Sequence, residues 1–547
     1  MKILYFIILL FLPVSAFTQV SINKYRLYLN DKDNNAYRIE APEEFLSSKS
    51  IQRRTRYNID INYSDLPVSE FYLDSLEQLG LEIKSKSKWL NTVVVHTTNT
   101  DLIDTITRYG FIRAVKTHRK IESKSYNLFL SQKKSKLTAP LNNYNYGEAT
   151  RQITMVNGDV LHRNGFQGQG MIIAVLDGGF EKVDMLPAFD SLRSNNQILG
   201  TRNFVDGDTA VFEASAHGMK VLSIMAGNIP NQFVGVAPKA KYWLLLSEKV
   251  GSEYTVEEDY WVAAAELADS VGVDIITSSL GYATFDDSEQ NYTYANMDGN
   301  TAFITKAADI AASKGILVVN SAGNEGATNW RHITAPADGD SVFTVGAVDE
   351  NRNLAGFSSL GPTYDGRIKP NVCAMGLLTA LQEPNGTIAF ASGTSYSTPI
   401  ISGMAACLWQ KYPNLNNIEI IRKIERSAHK YNNSDNFLGY GIPNFALAAE
   451  IASSSKQLNL EDYLDVKIFP NPFIDYINIE VSLRKENNLR IEIFNSYGSK
   501  LTEKIAKVNS GTIKIKLDEL SRFSAGVYFV KIQVGNQFVT KVISKIE

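Results

Sequence analysis

The chain has 547 residues, a net charge of -3, 44% hydrophobic residues and 21% charged residues. That length exceeds one compact domain and points to three or four. The composition excludes extensive disorder, and the near-neutral charge leaves no basic surplus for nucleic acid or anionic lipid. Two cysteines, Cys373 and Cys407, are too few for a disulfide framework and read as separate buried thiols.

In chain order, Lys2 precedes an apolar run from Ile3 to Leu12, then Pro13 and the small pair Ser15-Ala16. The run is shorter than the roughly 20 residues that span a bilayer, and its layout is that of a secretory signal over 1–18. Residues 20–122 read as a small α+β unit. Tyr25–Leu29, Leu81–Ile83, Thr92–His96 and Phe111–Val115 are predicted strands. Pro67–Leu79 and Asp101–Tyr109 are predicted helices, the first with Phe71, Leu73, Leu76 and Leu79 as its apolar face. Strand, helix, strand, strand, helix, strand is the ferredoxin-like order. Residues 123–146 are polar, with Lys133, Lys134, Lys136 and Pro140, and read as a linker.

From 147 to 455 short apolar runs alternate with helical segments. The runs are Met171–Leu176, Tyr242–Leu246, Val273–Ile276, Ile316–Val319 and Val342–Val345. The helices are Val256–Ala268, Ala302–Ala312 and Ser395–Lys411. This pattern predicts an α/β domain, a mainly parallel sheet with helices on both faces and with functional residues at the carboxyl ends of its strands. From 466 to 547 strict alternation, as in Ile477, Ile479, Val481 and Leu483 or Tyr528, Val530, Ile532 and Val534, predicts an all-β sandwich.

Four segments of the middle region carry chemistry. Asp177 ends an apolar strand, where a carboxylate is costly without a partner. His217 stands before Gly218 and an apolar helix. Asn324 lies in Gly323-Asn324-Glu325-Gly326, and Ser395 in Gly393-Thr394-Ser395 at the head of a helix containing Pro399. A carboxylate, an imidazole, an amide donor and a hydroxyl at a helix amino end are the parts that acyl transfer by a serine nucleophile needs. With these four segments in the order Asp, His, Asn, Ser, the chain resembles the subtilisin-like serine peptidases of the S8 family.

The resemblance implies a serine endopeptidase with a catalytic triad of Asp177, His217 and Ser395 and an oxyanion hole at Asn324. It places substrate backbone along Ser279-Leu280-Gly281, with Gly323 in the wall of the pocket for the residue before the scissile bond. It makes 20–122 a propeptide that assists folding and inhibits, so that the enzyme is a zymogen cut within 123–146. No cofactor is required for the chemistry. Structural calcium is a family habit, and Asp206-Gly207-Asp208 and Asp286-Asp287 offer oxygen donors, but so few carboxylates without ligand spacing read rather as solvated loops, and no metal residue is assigned. Departures from common family wording are Gly178-Gly179 after the aspartate, Met219 after His-Gly, Tyr396-Ser397 after the serine, and Met375. None removes a reacting group.

Val466-Lys467-Ile468-Phe469-Pro470-Asn471-Pro472-Phe473 and Ala525-Gly526-Val527-Tyr528-Phe529-Val530-Lys531-Ile532 resemble the sorting domain of type IX secretion cargo. That resemblance implies passage through the periplasm and outer membrane to the surface or beyond. The expected partners are polypeptide substrates, the chain's own propeptide and the type IX machinery, with no nucleic acid and a monomeric enzyme. The competing reading is a catalytically inactive subtilisin fold serving as a surface adhesin.

Overall fold

A computed structural model of the chain describes residues 23–118, 145–454, 465–483, 487–495, 500–508, 511–518, 520–534 and 537–546. The expected signal, nearly all of the expected linker and the turns at 496–498 and 535–536 lie outside the described residues. The chain divides into two units, one through Ile451 and one from Ala452. Among the described residues no helix is long and apolar enough to cross a membrane.

The first unit opens with four strands, β1 (Asn23–Leu29), β2 (Glu82–Ser87), β3 (Thr92–Thr97) and β4 (Ile112–His118). They form an antiparallel sheet in the order β2-β3-β1-β4. Three helices accompany them: α1 (Ser48–Tyr57), α2 (Glu70–Gln78) and α3 (Asp101–Ile106). The apolar face of α2 is Tyr72, Leu73 and Leu76, and Phe71 is 56% exposed. Phe71 and Leu73 are two positions apart, about 200° around a helix, so they do not share the expected face.

The middle region follows. Two helices, α4 (Thr150–Met155) and α5 (Gly158–Arg163), precede strand β5 (Ile172–Asp177). Next come α6 (Asp190–Ser194), β6 (Ile198–Asn203), α7 (His217–Ala226) and a short hairpin of β7 (Asn228–Ile229) and β8 (Phe233–Val234). Then β9 (Lys241–Leu246), α8 (Val256–Val271), β10 (Ile275–Ser278), α9 (Phe303–Ser313), β11 (Leu317–Ser321), β12 (Phe343–Val348) and β13 (Val372–Met375) alternate. Strands β14 (Thr379–Gln382) and β15 (Ile388–Ala391) pair by themselves, and α10 (Thr394–Lys411), α11 (Asn417–Ser427) and α12 (Phe445–Ser454) end the unit.

The seven-stranded sheet runs β13-β12-β11-β10-β5-β9-β6, and its strand pairs are parallel. Its central strands β5, β10, β11 and β12 are buried on both faces because both faces are covered, while the edge strand β6 is half-buried. On β5, Ile173 and Val175 join the core beneath α7 and α10, while Ala174 and Leu176 join the core beneath α8 and α9. Strand β5 is also the switch point: the strands after it go first to β6 and β9 on one side, then to β10 and beyond on the other. Ligand sites of open α/β sheets lie outside the strand ends at such a point.

The opening α+β sheet docks on α8 through polar contacts. Arg26 grips both oxygens of Asp259 (2.6 Å each), and Glu266 accepts from Ser87, Lys88 and Trp89 at 2.6–2.9 Å. Strand β4 ends at His118, whose ring meets the Thr255 hydroxyl at 2.6 Å, in the loop between β9 and α8.

The second unit is two antiparallel sheets. One holds β16 (Asp465–Phe469), β17 (Ile477–Leu483) and β20 (Gly511–Leu517). The other holds β18 (Asn487–Asn495), β19 (Lys500–Val508), β21 (Gly526–Val534) and β22 (Gln537–Lys545). Alternate residues such as Ile477, Ile479, Ile491, Ile493, Val530 and Ile532 form the shared core. The charged strand β19, at the edge of its sheet, carries no such alternation, as suits an edge that resists mispairing.

Candidate active site

Asp177 is the last residue of β5 and has no exposed surface. Its Oδ1 accepts from the Gly178 amide (2.7 Å) and pairs with His217 Nδ1 (2.8 Å), while Oδ2 has no hydrogen-bond partner among the described residues. His217 is the first residue of α7. Gly218 lets that helix come close, because a Cβ there would lie 2.5 Å from the Gly179 carbonyl and 2.8 Å from Asp177 Cβ. The bond to Asp177 occupies Nδ1 and leaves Nε2 as the nitrogen that Asp177 does not hold.

Burial presses the imidazole towards its neutral form, but the charge and hydrogen bond of Asp177 outweigh it, and the pKa of His217 stands above its ordinary value of 6.5. The side chain is 22% exposed, so a substrate proton can reach it.

Ser395 is the second residue of α10, whose free amide groups and dipole put partial positive charge at that end. Its Oγ hydrogen-bonds the Ser279 carbonyl at 3.4 Å. Pro399 lacks the N–H that would bond the Ser395 carbonyl four residues earlier. Ser279 Oγ donates to that carbonyl instead, at 3.0 Å, and ties the serine turn to the end of β10.

Asn324 Oδ1 accepts from the Thr394 amide (2.9 Å) and hydroxyl (3.0 Å), which orients the carboxamide so that Nδ2 is the free donor. A Cβ built on Gly393 would stand 3.7 Å from Ser395 N and 3.8 Å from Asn324 Nδ2. Both donors therefore lie beside Gly393, where the absence of a side chain leaves room next to them.

A cleft of about 290 Å³ gathers Asp177, His217, Ser279, Leu280, Gly281, Gly323, Asn324 and Ser395, all eight residues expected from the sequence. It adds residues that no motif marked. Thr334 sits between two glycines: its Oγ1 would be 2.2 Å from a Cβ on Gly281 and 3.0 Å from one on Gly323. Among the described residues that hydroxyl has no hydrogen-bond partner, and a side chain at either glycine would meet it. Glu248 and Glu253 form another wall. Burial first, then the charge of Asp177, lifts the Glu248 carboxyl to about 7 against the pull of a hydrogen bond from Tyr282.

The two acidic loops considered for calcium do not converge on a common point of donors. Asp208 caps Ala210, Asp287 caps Glu289, and Asp286 accepts from the Glu253 amide. Both thiols are free and buried, with Cys407 donating to the Val236 carbonyl at 3.2 Å.

Comparison with known proteins gives the family of the chain. The model of the subtilase family, Peptidase S8, matches residues 168–441. The Peptidase S8 propeptide domain of Bacteroidota matches 24–136, and the Secretion system C-terminal sorting domain matches 467–545. Subtilisin DY of Bacillus licheniformis is 28% identical over 302 residues, 54% of this chain and 97% of that protein. Subtilisin E of Bacillus subtilis is 30% identical over 302 residues, covering 54% and 70%. M-protease of Shouchella clausii is 29% identical over 293 residues, covering 53% and 67%. The chain belongs to the subtilase family of serine endopeptidases, with an S8 propeptide domain before the catalytic domain and a type IX sorting domain after it.

Proposed function

We propose that the protein is an exported zymogen whose peptidase domain, residues 147–455, hydrolyses peptide bonds through an acyl-enzyme on Ser395. The observation that carries this reading is the 2.8 Å bond between buried Asp177 and His217 in the same cleft as a serine at a helix amino end. Ser395 Oγ attacks the scissile carbonyl carbon while His217 Nε2 takes its proton. The oxyanion forms in the space shared by Ser395 N and Asn324 Nδ2. The carbon–nitrogen bond breaks, His217 returns the proton to the leaving amine, and water then releases the acid by the same steps in reverse. Asp177 holds the imidazole in the tautomer that presents Nε2. Every reacting group belongs to the chain, so the chemistry draws on no cofactor.

Substrate backbone adds as a strand beside Ser279-Leu280-Gly281. Residues 20–122 act as inhibitor until cleavage within 123–146, and the docking of β4 at Thr255, in the loop that walls the cleft, supports that order. Residues 1–18 direct export, and residues 466–547 address the protein to the type IX machinery. The enzyme is active as a monomer.

The test is labelling of the exported, matured protein with a fluorophosphonate probe beside Ser395→Ala. Labelling that is lost in the variant is the expected result. A folded protein that stays unlabelled with its propeptide removed overturns the reading in favour of a binding role.

A further inference from the structure

The mechanism leaves three carboxylates in the cleft region unused. Glu248 follows β9, Glu253 lies in the next loop and Glu257 begins α8; ligand oxygens of all three lie within 4.8 Å of one another. Glu248 and Glu253 border the same cleft as His217 and Ser395. Glu257 is buried and spent on the Lys249 and Tyr254 amides (3.1 and 2.9 Å), so it shapes the loop. Burial pushes all three carboxyls up, joined by the charge of Asp177 at Glu248 and by neighbouring carboxylates at Glu253 and Glu257, and among the described residues no ion pair relieves them.

A second observation points to an incoming cation. Asp177 Oδ2, on a fully buried side chain bordering this cleft, has no hydrogen-bond partner among the described residues, and the charge of Asp177 bears on Glu248. Glu248 lies against the same turn: its Cβ is 3.7 Å from the position of a Cβ on Gly178.

Strand geometry says which substrate side chain arrives there. Along a strand laid beside Ser279–Gly281, successive side chains point to opposite faces. If the residue before the scissile bond enters the pocket floored by Thr334, its predecessor points away from that pocket, towards the wall of His217, Glu248 and Glu253. We propose that Glu248 and Glu253 are specificity determinants that select a lysine or arginine as the second residue on the acyl side of the scissile bond. This rests on the peptidase reading above. A guanidinium or ammonium placed there gives the two carboxylates the counter-charge they lack.

The test uses the matured full-chain enzyme on internally quenched peptides that differ only in that residue: Lys, Arg, Leu or Glu. The expected kcat/KM for Lys or Arg exceeds that for Leu by about 10- to 100-fold, the scale of a hydrogen bond to a charged group. In the double variant Glu248→Gln, Glu253→Gln that ratio collapses towards one, and in Glu248→Lys, Glu253→Lys it reverses in favour of Glu. Ratios between substrates on one active-site-titrated sample do not depend on how much of a variant folds. A wild type without basic preference, or a preference that survives the Gln variant, overturns the proposal. So does a preference that appears only under chelator and vanishes with added calcium or magnesium, which would make the cluster a cation site. Failure to cleave any peptide overturns the peptidase reading itself, and this one with it.

Discussion

Asp177 and Asp269 are both carboxylates without exposed surface, yet their surroundings are opposite. Asp269, on α8, accepts from Arg53 (2.5 Å), from both terminal nitrogens of Arg54 (3.1 and 2.9 Å) and from Lys88 (3.5 Å), all supplied by the propeptide. Burial alone would raise its pKa; Lys88, Arg53 and Arg54 together bring it to about 2. Asp177 has one imidazole, one backbone amide and an oxygen with no partner. A saturated buried carboxylate fixes one domain on another. An under-satisfied one keeps charge in reserve for a step in which positive charge develops beside it.

The largest effect should come from Asp177→Asn. The variant amide keeps the shape but loses the charge and the tautomer control, and kcat/KM should fall by about 10⁴-fold with the melting temperature nearly kept. The pH profile sharpens the same point. His217 must be neutral to accept a proton, and its pKa is raised, so the acid limb of kcat/KM should lie above pH 6.5, activity rising with pH. In Asp177→Asn burial remains and the charge does not, so the residual limb should move to lower pH. The pairing also adds stability that is complete below pH 6.5 and fades as pH climbs through the raised value.

Asp269→Ala should do the reverse. It takes from Arg53, Arg54 and Lys88 the carboxylate they share in a buried interface and leaves Asp65 as the remaining carboxylate on Arg54, a loss of about 3 kcal/mol. Calorimetry of the unprocessed chain in a Ser395→Ala background reads this as a lower melting temperature. Equal melting temperatures for the two variants would break the comparison.

Gly393→Ala is smaller and acts on the oxyanion space and on a backbone conformation, φ 159°, that a side chain strains. A methyl 3.7–3.8 Å from both donors crowds the developing oxygen, and kcat should drop by about 10²-fold with probe binding weakened in parallel. Smallest is Ser279→Ala. It frees the Ser395 carbonyl that Pro399 cannot satisfy, at about 1–2 kcal/mol, visible as a modest loss of urea stability.

Some of this was legible in the sequence because it was local. Asp177 at the end of an apolar run, His217 heading a helix and the alternation of Ile477, Ile479 and Val481 each announce themselves within a few residues. Helix α1 did not, since its buried side chains include Arg53 and Arg54, which reach a carboxylate about 215 positions away. The edge strand β19 carries no alternation by which to read it. Thr334, Glu248 and Glu253 carry no motif and become pocket walls only because of what lies opposite them.

The sequence by itself determined which chemical groups the chain holds and in what order, because residue type, strand ends and helix starts are short-range properties. Tertiary structure alone decided that they meet. His217 is 40 positions from Asp177, and Ser395 is 116 from Ser279. They share one cleft because the parallel sheet reverses its winding at β5 and brings the carboxyl ends of β5 and β10 to the helices that carry the imidazole and the hydroxyl.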